Sequence, residues 1–464
     1  MPQRKSVLRS YATRLNDFVR SSLWPFPVFA VVVAVALAIG LTAVDRAAEV
    51  NLGPFEAVAF GGDAAAARSM LETIAGSLIT VTSLTFSLPV VTLQLASSQF
   101  SPRLLRTFTR DRVVQGTLAL FLGTFVFALT VLRVARDRQQ GSDFVPGISI
   151  ALAFLLTLAS VIALVLFLAH LAREIRVETL ARTVGTESAA ASRRVLVDAE
   201  SIGVHLETPP VAAPLTLSSS GFVTGVDTIK LVRMAKDLQA VVVVDSGPGS
   251  WVVAGVPAGL AWSNADGGAG ELTGTDRDRL QKRFDAAVEV EFERTSVDDP
   301  TYGLRQLTDV TVKALSPGIN DPTTATHTLG HTSTLLCTLL DLPLGDQLLR
   351  DDDDVVRVVV RRPTAADLLY HALDQPSRYG VDEPQVMERL FSLLREAAWR
   401  RRLSADRDAI GRELERLRAA VAGSGADEVQ TTRYAALAAG VEDALAGRWS
   451  GIKGGTSAEL GVKV

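Results

Sequence analysis

The stretch LETIAGSLITVTSLTFSLPVVTLQLA, Leu71 to Ala96, carries one charged side chain, Glu72 at its edge, and is otherwise apolar or hydroxylated. At about 1.5 Å of rise per residue, a helix of this length is more than enough to cross a hydrocarbon core of about 30 Å. In lipid the backbone has to satisfy its own hydrogen bonds, so the stretch reads as a transmembrane helix. Its polar residues are periodic. Thr73, Thr80, Ser87 and Gln94 recur every seven residues, close to two helical turns, and Ser77, Ser83 and Ser98 fall near the same face. Pro89 takes one amide donor out of the ladder. Lipid offers a hydroxyl stripe little, so Thr73, Ser77, Thr80, Ser83, Ser87, Pro89 and Gln94 are the pore-lining candidates. Helix packing is the plainer alternative, because small hydroxylated residues allow close approach and bond back to the preceding turn.

Working outward, Trp24 to Val44, Val113 to Leu132 and Ile148 to Leu168 are also uncharged and of about 20 residues each, and nothing like them follows. The expected fold class is therefore membrane α-helical with four transmembrane helices, followed by a cytoplasmic α+β soluble region made of a small β module and a helical subdomain. The divisions are a basic N-terminus over 1–23, the four-span domain over 24–168, a stalk helix over 169–199, the β module over 200–275 and a mainly helical domain over 276–464. Basic residues set the orientation. Arg4, Lys5, Arg9, Arg14 and Arg20 precede the first span, and Arg103, Arg106, Arg110 and Arg112 join the second to the third. These segments read as cytoplasmic, with both termini inside a bacterial inner membrane. Arg133, Arg136 and Arg138 in the last connection dissent mildly, and Arg173, Arg176, Arg182, Arg193 and Arg194 after span four restore the count. The first apolar run is too long for the core of a signal peptide and lacks a small-residue cleavage site after it.

A composition of 48% hydrophobic and 21% charged residues is what a span-rich third averaged with a charged remainder gives, and the net charge of −4 gives no reason to expect a nucleic-acid partner. The single cysteine, Cys337, excludes an intramolecular disulfide. In the soluble part, Gly221 to Thr224, Ala240 to Asp245 and Ser250 to Val256 are short β-branched runs between Pro, Gly and Ser. The segment GPGSWVVAGVPAGLAW, residues 247–262, looks like a hairpin corner of a barrel-sandwich hybrid without the lysine of a carrier, hence a scaffold. From Asp276 helical periodicity is expected through Glu293, then over Leu304 to Leu315, Thr323 to Leu340, Ala365 to Leu373, Val386 to Leu403 and Ile410 to Val421. Val355 to Val360 is the one strand expected among them, and the run Asp351 to Asp354 before it reads as a solvated turn.

Catalytic motifs are missing: the chain has no GxSxG, Walker loop, GxGxxG or paired-cysteine pattern, so no enzyme and no cofactor is expected. His327 and His331 lie four apart on one expected helix, which is two ligands where a metal needs more, and no metal is expected. Ser101 and Pro102 read as a helix start, placing Arg103, Arg106 and Arg110 on one face, with Arg112 close by, at the inner mouth of the hydroxyl stripe. Anionic lipid headgroups are the ordinary partner of such a row. A ring of arginines drawing anions to a pore is the sharper one.

Two blocks carry a resemblance. QLASSQFSPRLLRTFTRDRVVQGTLALFLGTFVFALTVLR, residues 94–133, and KALSPGINDPTTA, residues 313–325, are similar to the signatures of a widespread bacterial family of predicted integral membrane proteins catalogued as a domain of unknown function. GLRQLTDVTVKALSPGINDP and VVRVVVRRPTAADLL extend the likeness over nearly the whole chain. The resemblance implies membership and a topology, and no activity. Physically, Ser316, Pro317 and Gly318 stop one helix, while Asp321 caps the next and Pro322 is its first residue, with Asn320 between and Lys313 one turn back. The turn is expected to be structural; its alternative is an anion or subunit contact at the exposed amides. Replacing Gly318 should hurt if a positive φ or a tight passage is needed there. The functional expectation is a homo-oligomeric channel or transporter-like protein conducting a small ion, an anion being the first candidate. A non-transporting scaffold that binds a partner through its soluble region is the alternative from another class.

Overall fold

The computed structural model describes residues 24–48, 64–99, 112–135, 146–174, 177–196, 200, 207–265, 268–294, 299–400 and 404–449. The chain forms two compact units, Met1–Arg176 and Val177–Val464.

The first unit holds α1 (Pro25–Ala48), α2 (Ala64–Gln99), α3 (Arg112–Ala135) and α4 (Gly147–Glu174), each long and apolar enough to cross a membrane. The third is the centre: 56% of its apolar stretch is buried, against 22–28% for the others, and it packs on all three. Phe127, Ala128 and Val131 are among its buried side chains, clustered with Ala34 and Ala38 of α1, Leu71, Ile74 and Leu78 of α2, and Ile150 and Ala153 of α4. A Cβ at Gly123 would lie 3.7 Å from the Ala30 carbonyl, the close approach that small residues permit between spans. Asp45, buried near the end of α1, accepts from the amides of Ile148 at 3.1 Å and Ser149 at 3.2 Å and from the Ser149 hydroxyl at 2.7 Å. It caps the N-terminus of α4 from another helix, satisfying donors that have no partner within their own.

The second unit begins with α5 (Val177–Leu196). Strands β1 (Ala213–Thr216), β2 (Gly221–Val226), β3 (Ala240–Val244), β4 (Trp251–Val252) and β5 (Pro257–Ser263) follow, with α6 (Thr228–Asp237) between β2 and β3 and α7 (Gly274–Asp285) after β5. Next come β6 (Val288–Glu291), α8 (Tyr302–Ala314), α9 (Pro322–Leu340), β7 (Gln347–Arg350) and β8 (Val356–Val360). Helices α10 (Ala365–Gly380), α11 (Pro384–Arg400), α12 (Ser404–Ala422) and α13 (Glu428–Leu445) complete it. One sheet has the order β1-β5-β3-β8-β7 and a smaller one β4-β2-β6. Within the larger, β3 and β8 run parallel in the register Val242↔Val358, and the other pairs are antiparallel. Leu231 and Met234 of α6 and Leu280 and Phe284 of α7 cover one face, over Val242, Val244, Ala261, Val358 and Val360.

Several expectations change here. The helix expected through Glu293 ends at Asp285, and β6 takes its place because Val288 and Val290 alternate with glutamates and pair with β2. Strand β7 was not expected; it pairs with β8, and its Leu348 amide donates to the Glu200 carbonyl at 2.9 Å. Both sheets draw strands from either side of residue 275, so the β module and the helical region are joined through β6 and β8. The segment 247–262 is no simple hairpin, since β4 pairs with β2 and β5 with β1 and β3. In the acidic run, Asp352 to Asp354 are exposed, but the Asp351 side chain is only 1% exposed. It accepts from the Asp353 amide at 2.9 Å, the Val355 amide at 3.1 Å and Arg357 Nε at 2.7 Å. The Arg357 hydrogen bond, with those amides, holds its pKa at about 2. Helix α5, expected as a stalk, buries Leu180, Ala181, Val184, Ser188 and Leu196 and packs on α8 and α9.

Candidate functional site

Helix α2 has two faces of opposite character. Ala67, Leu71, Ile74, Ala75, Leu78, Thr82 and Thr85 are buried in the four-helix unit. At 3.6 residues per turn, Thr73, Thr80, Ser83, Ser87 and Gln94 fall on the far side of the helix, and all five are exposed. Ser77 is exposed nearer one flank, and Pro89 is half-buried. The hydroxyl stripe thus points away from the rest of its own unit. Leu84, Val91 and Phe86 are exposed beside it.

The stripe's hydrogen bonding is local. Thr73 donates to the Ser69 carbonyl at 2.8 Å, Ser77 to Thr73 at 2.7 Å and Thr80 to Gly76 at 3.1 Å. Each proton is used within the helix, so the outward group is an oxygen acceptor. Between Thr73 and Gln94 the sequence has no ionisable side chain, so the stripe can accept hydrogen bonds from water, and at Gln94 also donate them, without fixing a charge. Inside the unit, Thr82 donates to Leu78 at 2.6 Å, while Thr124 and Ser160 approach at 3.4 Å and link α3 to α4. Of the four arginines, Arg103, Arg106 and Arg110 lie outside the described residues, and Arg112 opens α3 with its side chain exposed.

The SPGINDP block joins α8 to α9. Helix α8 ends at Ala314, whose carbonyl accepts from the Asp321 amide at 2.8 Å, and the Ser316 hydroxyl donates to the Lys313 carbonyl at 2.7 Å. Asp321 caps α9, accepting from the Thr324 amide at 2.9 Å and hydroxyl at 2.6 Å, with Pro322 in the first turn. Those hydrogen bonds hold the Asp321 carboxyl below the usual carboxylate range. A carboxylate therefore already occupies the helix end where an anion was considered. Pro317 lies within the turn. The left-handed residue is Asn320, at φ 48°, whereas a Cβ on Gly318 would meet open space and its backbone is not left-handed. The need for glycine at 318 is thus corrected: the strain sits two residues later.

Sequence reading missed several ties in the soluble unit. Arg361, after β8, reaches Asp346 at 2.8 Å and Asp245, after β3, at 3.1 Å. Arg294 pairs with Asp299 at 2.5 Å and donates to the Thr301 hydroxyl at 2.7 Å. Gly249 sits against Asp299 at φ 91°, and a Cβ there would come within 2.3 Å of the carboxylate. Asp245 lies 116 residues from Arg361, so local sequence carried no signal for that tie, and the Arg294 ties, though only five and seven residues long, follow no motif. A concavity of about 350 Å³ is lined by Phe391, Val421, Ala422, Tyr434, Ala438 and Arg418; the Arg418 cation is taken by Glu415 and Glu442, each at 2.7 Å. Among the described residues no group of three or more His, Cys, Asp or Glu side chains could hold a metal ion.

Four apolar helices ahead of a mixed α/β unit define an integral membrane protein with a soluble region. The chain belongs to the family described as predicted membrane protein (DUF2254), whose model matches residues 20–396 and includes both signature blocks. It is 31% identical over 387 residues to uncharacterized proteins of Mycobacterium tuberculosis and Mycobacterium bovis, covering 82% of this chain and 73% of theirs. No solved structure matches it. Helices α12 and α13 lie beyond the matched region.

Proposed function

We propose that this protein is a homo-oligomeric channel of the bacterial inner membrane, with α2 helices from several copies facing one another and the soluble unit in the cytoplasm serving assembly or regulation. The observation that carries the reading is that the hydroxyl stripe lies opposite the face α2 buries in its own unit. A single four-helix unit leaves those hydroxyls to lipid; a ring of copies turns them to water. The stripe holds no fixed charge, so the sign of the conducted ion is set at the mouth, where Arg103, Arg106, Arg110 and Arg112 favour a small anion. The same arginines serve anionic lipid headgroups at the bilayer surface.

The test is cysteine scanning of α2 after replacing Cys337, in protein reconstituted into liposomes. Cysteines at Thr80, Ser87 and Gln94 are expected to react with water-soluble thiol reagents and to block ion flux. Those at Leu78 and Thr85, on the buried face, are expected to stay unreactive. Arg103→Glu with Arg106→Glu is expected to lower anion relative to cation permeability. Absence of flux from folded protein, with no periodicity of labelling along α2, would leave the scaffold reading in its place.

A further inference from the structure

Helix α5 is the first element of the soluble unit after the membrane helices, beginning three residues past the end of α4. Its apolar face lies on α8 and α9, and it comes so near α8 that a Cβ on Gly303 would fall within 2.0 Å of the Ser188 hydroxyl. Where α5 meets α9 the contact is ionisable. His327 Nδ1 of α9 lies 3.8 Å from Glu178 Oε1 of α5. One turn further along α9, His331 is half-buried, with Glu178 and Arg182 of α5 and His327 of its own helix as the charged groups acting on it. The SPGINDP turn fixes this arrangement, because Asp321 and Pro322 set where α9 starts and hence which side chains it turns toward α5.

The other helices packed on α9 bring their charges elsewhere. Glu396 of α11 accepts from Ser333 and from Arg389 at 2.8 Å, and Arg400 reaches Asp341. On α8, Arg305 pairs with Asp309 at 3.0 Å, and His371 of α10 answers to Arg294, Asp299, Arg305 and Asp367. Beyond burial and its helix neighbour His327, the charges acting on His331 are therefore those of α5.

We propose that the α5–α9 contact is a pH-responsive joint, in which protonation of His331 adds a cation to a half-buried contact that already holds His327 and Arg182, with only Glu178 among the described residues to offset it, and loosens α5. Burial, and then the neighbouring His327 and Arg182, push the His331 pKa below its ordinary value, so the folded contact prefers the neutral ring. The sign follows. A histidine whose folded pKa is depressed contributes its stability above the unfolded value near 6.5 and loses it as pH falls through the folded one. The His327–Glu178 pair works in the opposite direction, since it needs a charged ring, but both side chains are more than half exposed and such pairs contribute little.

The experiment is hydrogen–deuterium exchange of the full-length protein in detergent at about pH 7.5 and about pH 5.5, either side of the histidine range, with rates corrected for intrinsic exchange. Amides of α5 are expected to lose protection at the lower pH in the wild type and to keep it in His331→Gln. Unchanged protection of α5 in the wild type, or an equal loss in His331→Gln, would overturn the joint. Should His331→Gln lose protection throughout the soluble unit at neutral pH, Arg182→Gln decides: the acid-induced loss in α5 shrinks if the proposal holds, and a loss as large as in the wild type refutes it. The readout is local exchange, so it is independent of whether the protein conducts ions.

Discussion

The two units differ in how far their polar ties reach: among the described residues, few cross between helices of the membrane unit, and many cross between segments of the soluble one. In the membrane unit the hydroxyls of Thr73, Ser77, Thr80, Thr82 and Thr130 all bond to a carbonyl four residues earlier on their own helix. In the soluble unit hydroxyls such as those of Thr328 and Thr332 do the same, but charged and amide side chains also tie together segments far apart in sequence, as Arg361 does for Asp245 and Asp346, and as Gln281 does for Thr216. The difference follows from the solvent. A hydroxyl satisfied within its own helix can sit in lipid or at a pore without a partner, whereas water around the soluble unit competes for every surface pair and rewards only those that are buried. Substitutions of the first kind should therefore report on function, and those of the second on folding.

The largest expected effect tests the second half of that statement. Asp346 is fully buried and accepts from Arg361 Nη1, while Asp245, the other partner, is 54% exposed. Removing one member of a buried pair costs about 3–5 kcal/mol, so Asp346→Ala should lower the melting temperature of the soluble unit sharply. Asp245→Ala, at the exposed end, should cost no more than about 1 kcal/mol. Equal melting temperatures for the two variants would break the contrast.

The next effect is smaller and lies in the signature turn. Asn320 holds a left-handed backbone, which costs a branched residue about 1–2 kcal/mol, so Asn320→Val should destabilise by that amount. Gly318→Val should stay within about 0.5 kcal/mol, as a surface change into open space does. Denaturant midpoints of the two variants check this; a larger penalty at 318 than at 320 would show the turn to be misread.

How much of this was legible in the chain depends on how local each signal is. The spans were readable because length and apolarity are properties of single segments, and the Asp321-Pro322 start of α9 because a cap and its helix are adjacent. The period of the hydroxyl stripe was readable too. Its direction was not, since which face of α2 is buried depends on α3. Strand β7 escaped because QLLR has no pattern of its own, and β6 because VEVE follows a helical segment without a break. The solvated reading of Asp351 failed at Arg357, six residues on, whose guanidinium a run of four acids gives no reason to expect. Asp45 escaped because the amides it caps lie 103 and 104 residues further on.

Asp45 is also the exception that sharpens the comparison, and it carries the smallest expected effect. It is a buried acid in the membrane unit that behaves as the soluble unit's acids do, reaching from α1 to the amides of Ile148 and Ser149 on another helix. If satisfying a helix end is its role, Asp45→Ala should cost what a lost cap costs, about 1 kcal/mol, and Asp45→Asn less, because an amide oxygen can still accept. Thr80→Val, on the stripe, should cost less than about 0.5 kcal/mol, its hydroxyl having bonded only within its own helix. Thermal melting in detergent, followed by the protection of α4's first turn against exchange, separates these cases. A Thr80→Val penalty equal to that of Asp45→Ala would mean that the stripe contributes to the unit's stability, and the outward face of α2 would then be a packing surface before it is a path.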